Sequence, residues 1–410
     1  MLAQIFLRDD LNPTHDQLYS TGKEKNGDDR VTKFGAVGNV IEQLCQVVGS
    51  EIMTLCNFTP SLLLILAAAI VATVATAQDQ DAFVYFLGTS FYFVNGGIGN
   101  QFEGLYQQAI GNTNADVHTD TMAISALPLE FHVAGLSSLV GSPFYPNLEQ
   151  NSNSYNWILV QENSRVNTLG DDWVANSVQA AMDVHTMAIK GGIQTMFVMS
   201  WGYRTGLKPR KQPEIGQISY LEHHQMMEDQ YFDYYHSTNT PEHPSYLAPV
   251  GLVYKTIYMD CKNAGLEPTA DECLFSRLYK EDDFHNSMQG TYLMALTIVS
   301  AMTGADPMSL TWQTDKAVIG KYPYPIPEEE AAWIRSAVSR TIMETIDSGR
   351  IQYPFGERPA WVEQKSSPFS IPVLPEVKGQ WWSQIKAWLN PLWWLGCVDY
   401  GNGCLDPTEP

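Results

Sequence analysis

From residue 81 onward, short apolar runs alternate with longer stretches in which apolar residues recur at helical spacing. The short runs predict strands, because a strand buried on both faces of a parallel sheet is apolar almost throughout. They cover residues 84–87, 117–123, 157–160, 194–200 and 246–251. The longer stretches predict helices over residues 98–111, 176–190, 221–236, 290–303 and 328–346. Alternation of this kind predicts an α/β fold, a three-layer α/β/α sandwich around a flavodoxin-like parallel sheet.

The alternating pattern predicts one domain over residues 81–350. After it comes a tail, residues 351–410, that is rich in Pro and Trp, including Trp381, Trp382, Trp388, Trp393 and Trp394. Aromatic side chains at this density either pack the tail onto the body of the protein or stack on sugar rings.

The segment before the domain resembles an export signal. Residues 62–77 are apolar, a run shorter than the roughly 20 residues of a membrane span, and they end in the small-x-small pattern Ala75-Thr76-Ala77. With Met53 as start, residues 53–77 are expected to form a signal peptide, although residues 54–61 lack the Lys and Arg of a positive n-region. A signal anchor is the alternative. Residues 1–52 are then a non-structured extension. We expect a secreted or secretory-pathway lumenal protein without a stable membrane span, or alternatively a single-pass signal-anchored one.

Composition and charge narrow the classes of partner. The chain is 44% hydrophobic and 17% charged, as in a folded protein, and its formal net charge is −21. Because the phosphates of nucleic acid would be repelled by such a surface, no nucleic-acid partner is expected.

Cysteine usage agrees with export. Four cysteines follow residue 77, namely Cys261, Cys273, Cys397 and Cys404. An even number in a secreted chain suggests two disulfides with three possible connectivities, and proximity in sequence favours Cys261–Cys273 and Cys397–Cys404. Four buried thiols are the alternative.

The candidate chemistry lies in two distant segments. Asp282 precedes His285 by three residues, on a loop that leads into an apolar helical stretch. A carboxylate beside a histidine fixes the imidazole tautomer and stabilises the imidazolium that forms during nucleophilic catalysis. Ser90 follows the first predicted strand and Gly88, at a position where an α/β sheet presents a nucleophile.

Several short blocks follow one another from about residue 84 to residue 307. They are 86–91 (FLGTSF), Gly135, 159–164 (LVQENS), 199–202 (MSWG), 248–251 (APVG), and Asp282-x-x-His285 followed by 290–293 (GTYL). In this order they resemble the SGNH (GDSL-type) hydrolases, in particular a divergent branch whose blocks read Gly-Asn-Ser and Gln-Glu-x-Ser. Thr89 departs from the Asn of that branch and from the Asp of the wider family.

The resemblance implies a role for each matching residue. Ser90 is the expected nucleophile, His285 the general base and Asp282 the acid that orients it. The backbone N–H groups of Ser90 and Gly135 and the side chain of Gln161 are the expected oxyanion donors, with no cofactor and no metal.

The implied activity is that of a serine ester hydrolase working through an acyl-enzyme. The expected substrate is a small-molecule or polysaccharide ester, first an acetyl-like O-acyl ester of carbohydrate. A lipid esterase, an acyl transferase and a catalytically silent SGNH-like domain that binds glycan or protein are the alternatives. The oligomeric state is not indicated.

Each of these residues also has a structural interpretation. Ser90 could cap a helix, and Asp282 could cap the helix that follows it, with Asp283 as an equally acidic neighbour. The run Glu222-His223-His224 with Glu228 has metal-like composition but no H-E-x-x-H spacing, so a polar, solvated helix is favoured there.

Overall fold

The structure is a computed structural model whose described residues form one compact unit within Asp79–Val377. They are residues 81–142, 144–151, 153–207, 216–311, 318–319, 322–323, 326–356, 358–363 and 374. The predicted extension, the predicted signal segment, most of the tail and the pairing of Cys397 with Cys404 lie outside these residues and stay predictions.

Five parallel strands form the central sheet. They are β1 (Ala82–Gly88), β2 (Val117–Ala123), β3 (Trp157–Val160), β4 (Gln194–Val198) and β5 (Ser245–Ala248). Their order is β2-β1-β3-β4-β5, the flavodoxin-like order. All side chains of β3 and β5 are buried, as the apolar runs predict, whereas β2 at the edge is partly exposed. The predicted fold class is confirmed.

Helices cover both faces of the sheet. They are α1 (Gly99–Ala109), α2 (Leu129–Ser138), α3 (Asp171–Lys190), α4 (Tyr220–Thr238), α5 (Val250–Asn263), α6 (Leu274–Arg277), α7 (Met288–Thr303), α8 (Glu328–Asp347) and α9 (Ala360–Glu363). Helices α2, α3 and α4 pack side by side in one layer, and α1, α5, α7 and α8 pack in the other. A two-stranded antiparallel ribbon, β6 (Val318–Ile319) and β7 (Tyr322–Pro323), follows α7. Among the described residues, no helix combines the length and apolarity needed to cross a membrane.

Local chemistry sets the ends of the helices beside the sheet's carboxyl edge. Ser219 and Glu222 form a capping box at the start of α4. Ser287 caps α7 by accepting a hydrogen bond from the N–H of Gly290, and α7 ends at Gly304 in the left-handed region, with φ of 71°. The cap residue Ser287 lies two residues after His285, so it fixes where the loop that carries His285 must end.

A disulfide joins Cys261, near the end of α5, to Cys273, directly before α6. Both cysteines are buried. This confirms the first predicted pairing. The bond anchors the segment that leads into the loop between α6 and α7, which carries His285.

Removing this disulfide should destabilise the protein. A cross-link that closes a loop with a sequence separation of 12 residues contributes about 3 kcal/mol to the free energy of unfolding. We expect the double variant Cys261→Ala/Cys273→Ala to lose about that amount in urea unfolding without reductant. Reductant should lower the unfolding midpoint of the wild type towards that of the variant. Equal midpoints for the wild type with and without reductant would contradict the bond.

Candidate active site

Ser90 lies at the carboxyl edge of the sheet. Strand β1 ends at Gly88, and Ser90 begins a 3₁₀ turn, Ser90–Tyr92, in which it is 7% exposed. A Cβ at Gly88 would lie 2.9 Å from the carbonyl oxygen of Gln161 and 3.0 Å from the ring of Tyr92. Only glycine allows the backbone to pass this close to β3 before the turn.

His285 lies on a closed loop between α6 and α7. Tyr279 and Asn286 form an antiparallel bridge across the base of the loop. The N–H of Lys280 donates to the carbonyl of His285 at 2.8 Å, and the N–H of Ser287 donates to the carbonyl of Leu278 at 2.8 Å. These bonds fix the backbone on both sides of the imidazole.

The three side chains that the sequence singles out converge. Ser90 Oγ lies 2.7 Å from His285 Nε2, and His285 Nδ1 lies 2.7 Å from Asp282 Oδ2. Asp282 Oδ1 also accepts the N–H of His285 at 2.9 Å and that of Phe284 at 3.2 Å. With Nδ1–H donating to the carboxylate, Nε2 presents its lone pair to the serine hydroxyl.

The carboxyl group of Asp282 stays ionised in this setting. Burial opposes its ionisation, but the hydrogen bonds from the His285 side chain and from the backbone N–H groups outweigh burial. The pKa of Asp282 is therefore held below its ordinary value. An acid whose charged form is favoured beside Nδ1 is what an orienting carboxylate requires.

Asp283, the acidic neighbour, has a different partner. Its carboxylate pairs with Arg204, whose Nε donates at 2.6 Å, and the N–H of Arg204 donates to the carbonyl of Asp283 at 2.8 Å. Asp283 adopts φ of 68°, a left-handed conformation that Asp tolerates better than most residues. The ion pair thus holds a turn that lets Asp282, and not Asp283, face the imidazole.

Two asparagines tie the serine turn to the histidine loop. Asn95 Nδ2 donates to the carbonyl of Asn286 and to the hydroxyl of Thr291, both at 2.8 Å. Asn286 Nδ2 also donates to Thr291 at 2.7 Å. Asn95 itself adopts φ of 59°, which turns the chain so that its side chain reaches the loop. The relative position of Ser90 and His285 is therefore fixed by side chains as well as by the sheet.

Aromatic side chains also pack against the loop that carries His285. The ring of Phe91 lies 5.8 Å from the imidazole of His285 and 4.6 Å from the ring of Trp201. Trp201 Nε1 donates to the carbonyl of Phe284 at 3.2 Å, and its ring stacks on Tyr254 at 4.5 Å. Trp201 belongs to the 199–202 block, whose role is thus to carry the histidine loop.

Gly135 is not placed as the sequence resemblance implies. It lies in the middle of α2, and an amide at this depth donates to the carbonyl four residues earlier in the same helix. A Cβ at Gly135 would meet the ring of Tyr145 at 2.4 Å. Close packing against Tyr145 therefore explains the glycine, and the helix geometry does not support an oxyanion role.

Gln161 follows β3 directly and is 1% exposed. Its N–H extends the ladder to the carbonyl of Leu87 at 2.9 Å. Within the described part of the chain, neither atom of its carboxamide has a hydrogen-bond partner. The oxyanion role of Gln161 stays a prediction.

Ala126 and Asn163 are candidates that the sequence analysis missed. Ala126 lies between β2 and α2 with φ of 57°, and its carbonyl accepts Asn163 Nδ2 at 2.6 Å. The N–H of Ile124 donates to the carbonyl of Gly88 at 3.1 Å, which places this loop beside the serine turn. Among the described residues, the backbone N–H groups of Ser90 and Ala126 have no hydrogen-bond acceptor. The pattern of hydrophobic and polar residues gives no indication of the left-handed backbone at Ala126, so the sequence analysis could not find it.

Glu162 joins the two loops that carry these candidates. Its Oε1 accepts the N–H of Leu129, the first residue of α2, at 2.9 Å and the N–H of Asn163 at 2.5 Å. Its Oε2 contacts the hydroxyl of Ser177. Burial raises the pKa of Glu162 to about 7, although these hydrogen bonds act in the opposite direction.

Two buried histidines, His132 and His223, are held by structural partners. His132 Nε2 lies 2.9 Å from the carbonyl of Gly88, and burial lowers the pKa of His132 to about 4, so a neutral ring donates there. His223 bridges the N–H of Tyr203 and the carbonyl of Ser164. The prediction of a solvated helix was wrong for His223 and His224, because both are fully buried. No group of three or more metal-ligating side chains is assembled among the described residues.

Solved structures with a similar fold include hydrolases. A candidate SGNH hydrolase from Slackia heliotrinireducens is 17% identical with a TM-score of 0.36, over 54% of this chain and 98% of that one. A DUF4886 family protein from Bacteroides uniformis is 16% identical with a TM-score of 0.43, over 64% and 95%. The acetylxylan esterase Axe2 from Geobacillus stearothermophilus is 10% identical with a TM-score of 0.36, over 58% and 98%.

One of these similar structures is itself described as an SGNH hydrolase, the family that this sequence resembles. No family model and no curated protein matches the chain. At these identities the likeness concerns the fold, so any functional argument depends on this chain's own residues.

Glu162→Gln should change how stability depends on pH. The folded-state pKa of about 7 lies above the ordinary 4.5, so the native protein retains a proton that the unfolded chain releases in this window. The stabilisation is complete below pH 4.5 and is lost as pH rises through 7. Relative to Glu162→Gln, the free energy of unfolding of the wild type should fall by about 3 kcal/mol across the window.

Urea unfolding at several pH values between 4.5 and 8 measures this difference. Glu149→Gln, which removes an exposed carboxylate paired with Lys190, is the matched control and should parallel the wild type. Parallel curves for the wild type and Glu162→Gln would contradict the raised pKa of Glu162.

Proposed function

We propose that the protein hydrolyses carboxylic esters through a serine acyl-enzyme. The observation that carries the proposal is the chain of two 2.7 Å hydrogen bonds from Ser90 through His285 to Asp282. A serine, a histidine in contact with it and a charged acid behind the histidine are the parts that an activated hydroxyl nucleophile needs.

Each residue has one task in the proposed reaction. Ser90 Oγ attacks the ester carbonyl carbon while its proton passes to His285 Nε2. The imidazolium, stabilised by Asp282, then donates that proton to the departing alkoxide, and the acyl group remains on Ser90. Water repeats the sequence, giving its proton to His285 and releasing the acid.

The oxyanion of the tetrahedral intermediate needs donors already aimed at it. We assign the N–H groups of Ser90 and Ala126 to this role, because both are free of other partners within the described residues. Asn163 holds the Ala126 carbonyl and carries a second N–H on the same amide nitrogen. Losing one such donor costs on the order of a hundred- to thousandfold in rate.

A catalytically silent binding domain is the competing function. Such a domain has no need for a serine hydroxyl, an imidazole and a carboxylate in hydrogen-bond contact. The convergence of the three, on a loop held by Arg204 and two asparagines, favours catalysis. The carbohydrate O-acyl substrate, the lipid alternative and the secreted location stay predictions from the sequence.

Hydrolysis of p-nitrophenyl acetate and a longer-chain p-nitrophenyl ester by the full chain tests the proposal. Ser90→Ala should lower kcat/KM by at least about a thousandfold, since the nucleophile itself is lost. Ser138→Ala is a matched change at an exposed serine whose hydroxyl donates to the helix carbonyl of Ala134, and it should leave the rate unchanged. Equal rates for the wild type and Ser90→Ala would rule out Ser90 as nucleophile.

A further inference from the structure

Arg165 differs from every other arginine that the structure describes. Each of the others forms an ion pair with a carboxylate; they are Arg204, Arg277, Arg335, Arg340, Arg350 and Arg358. Arg165 forms none, in a chain with 45 acidic and 24 basic residues. Acidic groups are in such excess that a partly buried guanidinium without a carboxylate partner among the described residues sets Arg165 apart.

The guanidinium of Arg165 is nevertheless held in one orientation. Its Nε donates to the hydroxyl of Tyr203 at 3.1 Å, and its carbon Cζ lies 5.6 Å from the centre of that ring. The backbone N–H of Arg165 donates to Asn163 Oδ1 at 3.0 Å, and the Tyr203 hydroxyl also contacts Ser164 Oγ at 3.0 Å. The two terminal nitrogens of Arg165 make no hydrogen bond to any described residue.

This group stands close to the proposed catalytic residues. Arg165 comes two residues after Asn163, at the carboxyl edge of the sheet. The ring of Tyr203 lies 5.3 Å from that of Phe284, which lies 4.1 Å from the imidazole of His285. A chain of direct contacts therefore leads from Arg165 to the histidine loop.

We propose that Arg165 binds a carboxylate carried by the ester substrate, on either its acyl or its alcohol part. The inference rests on the proposed ester hydrolysis and names a feature of its substrate. Guanidinium presents paired N–H groups that match the two oxygens of a carboxylate, and a fork already oriented by Tyr203 loses little freedom on binding. Because the formal net charge of the chain is −21, an acidic substrate would need a cation such as Arg165 to offset the repulsion.

Two matched pairs of esters test the proposal on the full chain. On the acyl side, mono-4-nitrophenyl glutarate is compared with its methyl ester. On the alcohol side, O-acetyl galacturonic acid is compared with its methyl ester. In at least one pair, wild-type kcat/KM for the acid should exceed that for the methyl ester by about 10- to 100-fold, the worth of one charge-assisted pair.

Substitution of Arg165 should remove this preference and nothing else. Arg165→Gln should lower kcat/KM for the acid by the same factor while turnover of the methyl ester, which also reports folding, stays within about threefold. Arg165→Lys keeps the positive charge but loses the paired N–H groups of the guanidinium. Its kcat/KM for the acid should therefore lie between those of the wild type and Arg165→Gln. Lys190→Gln removes an equal charge at the end of α3, beside the opposite edge of the sheet, and should change neither rate.

The outcomes separate this inference from the proposed function. Absence of Ser90-dependent hydrolysis of all four esters would overturn the proposed function. Their hydrolysis without any preference for the acids, or an equal loss for acid and methyl ester in Arg165→Lys, would overturn the carboxylate site alone. Should Arg165→Gln fail to fold, competitive inhibition of the wild type by glutarate, but not by its dimethyl ester, would support the site, and its absence would overturn it.

Discussion

The hydrogen bond between Ser90 and His285 joins residues 195 positions apart in the chain, and the remaining features of the site exist to maintain it. The parallel sheet brings the serine turn to its carboxyl edge, but His285 follows no strand. Its loop is positioned by the cap of α7, the Arg204–Asp283 pair, the Asn95 side chain and the indole of Trp201. The contact between Ser90 and His285 would therefore be lost if this one loop moved.

Much of the fold could be predicted because most of it follows from periodicity. Strands β2 and β3 have the predicted bounds, and the helices that were predicted differ from observation by a few residues at their ends. Helix α2 was not predicted, since apolar and polar residues mix around it and Gly135 lies in its interior. Its stability comes from tertiary contacts, including the Tyr145 ring over Gly135 and the Glu162 carboxylate at its first N–H.

The candidate site was predictable where spacing carries the chemistry. Asp282 and His285 are three residues apart on one turn, so their contact is local, and Ser90 follows a recognisable strand and glycine. The proposed oxyanion donors were not predictable in the same way, because the position of the Ala126 N–H depends on a backbone conformation. Nothing in the sequence distinguishes Ala126, with φ of 57°, from another loop alanine. Gly135 resembles a family glycine, but the structure explains it by close packing against the ring of Tyr145. Arg165 stands out only once the partners of the other arginines are known.

Covalent trapping tests the central claim most directly. The full chain is treated with a fluorophosphonate, which reacts with an activated serine, and the modified residue is located by peptide mass spectrometry. The account predicts one adduct per chain at Ser90, none in Ser90→Ala, much slower labelling in His285→Ala and unchanged labelling in Ser138→Ala. An adduct at another residue, or equal labelling of Ser90→Ala and the wild type, would contradict it.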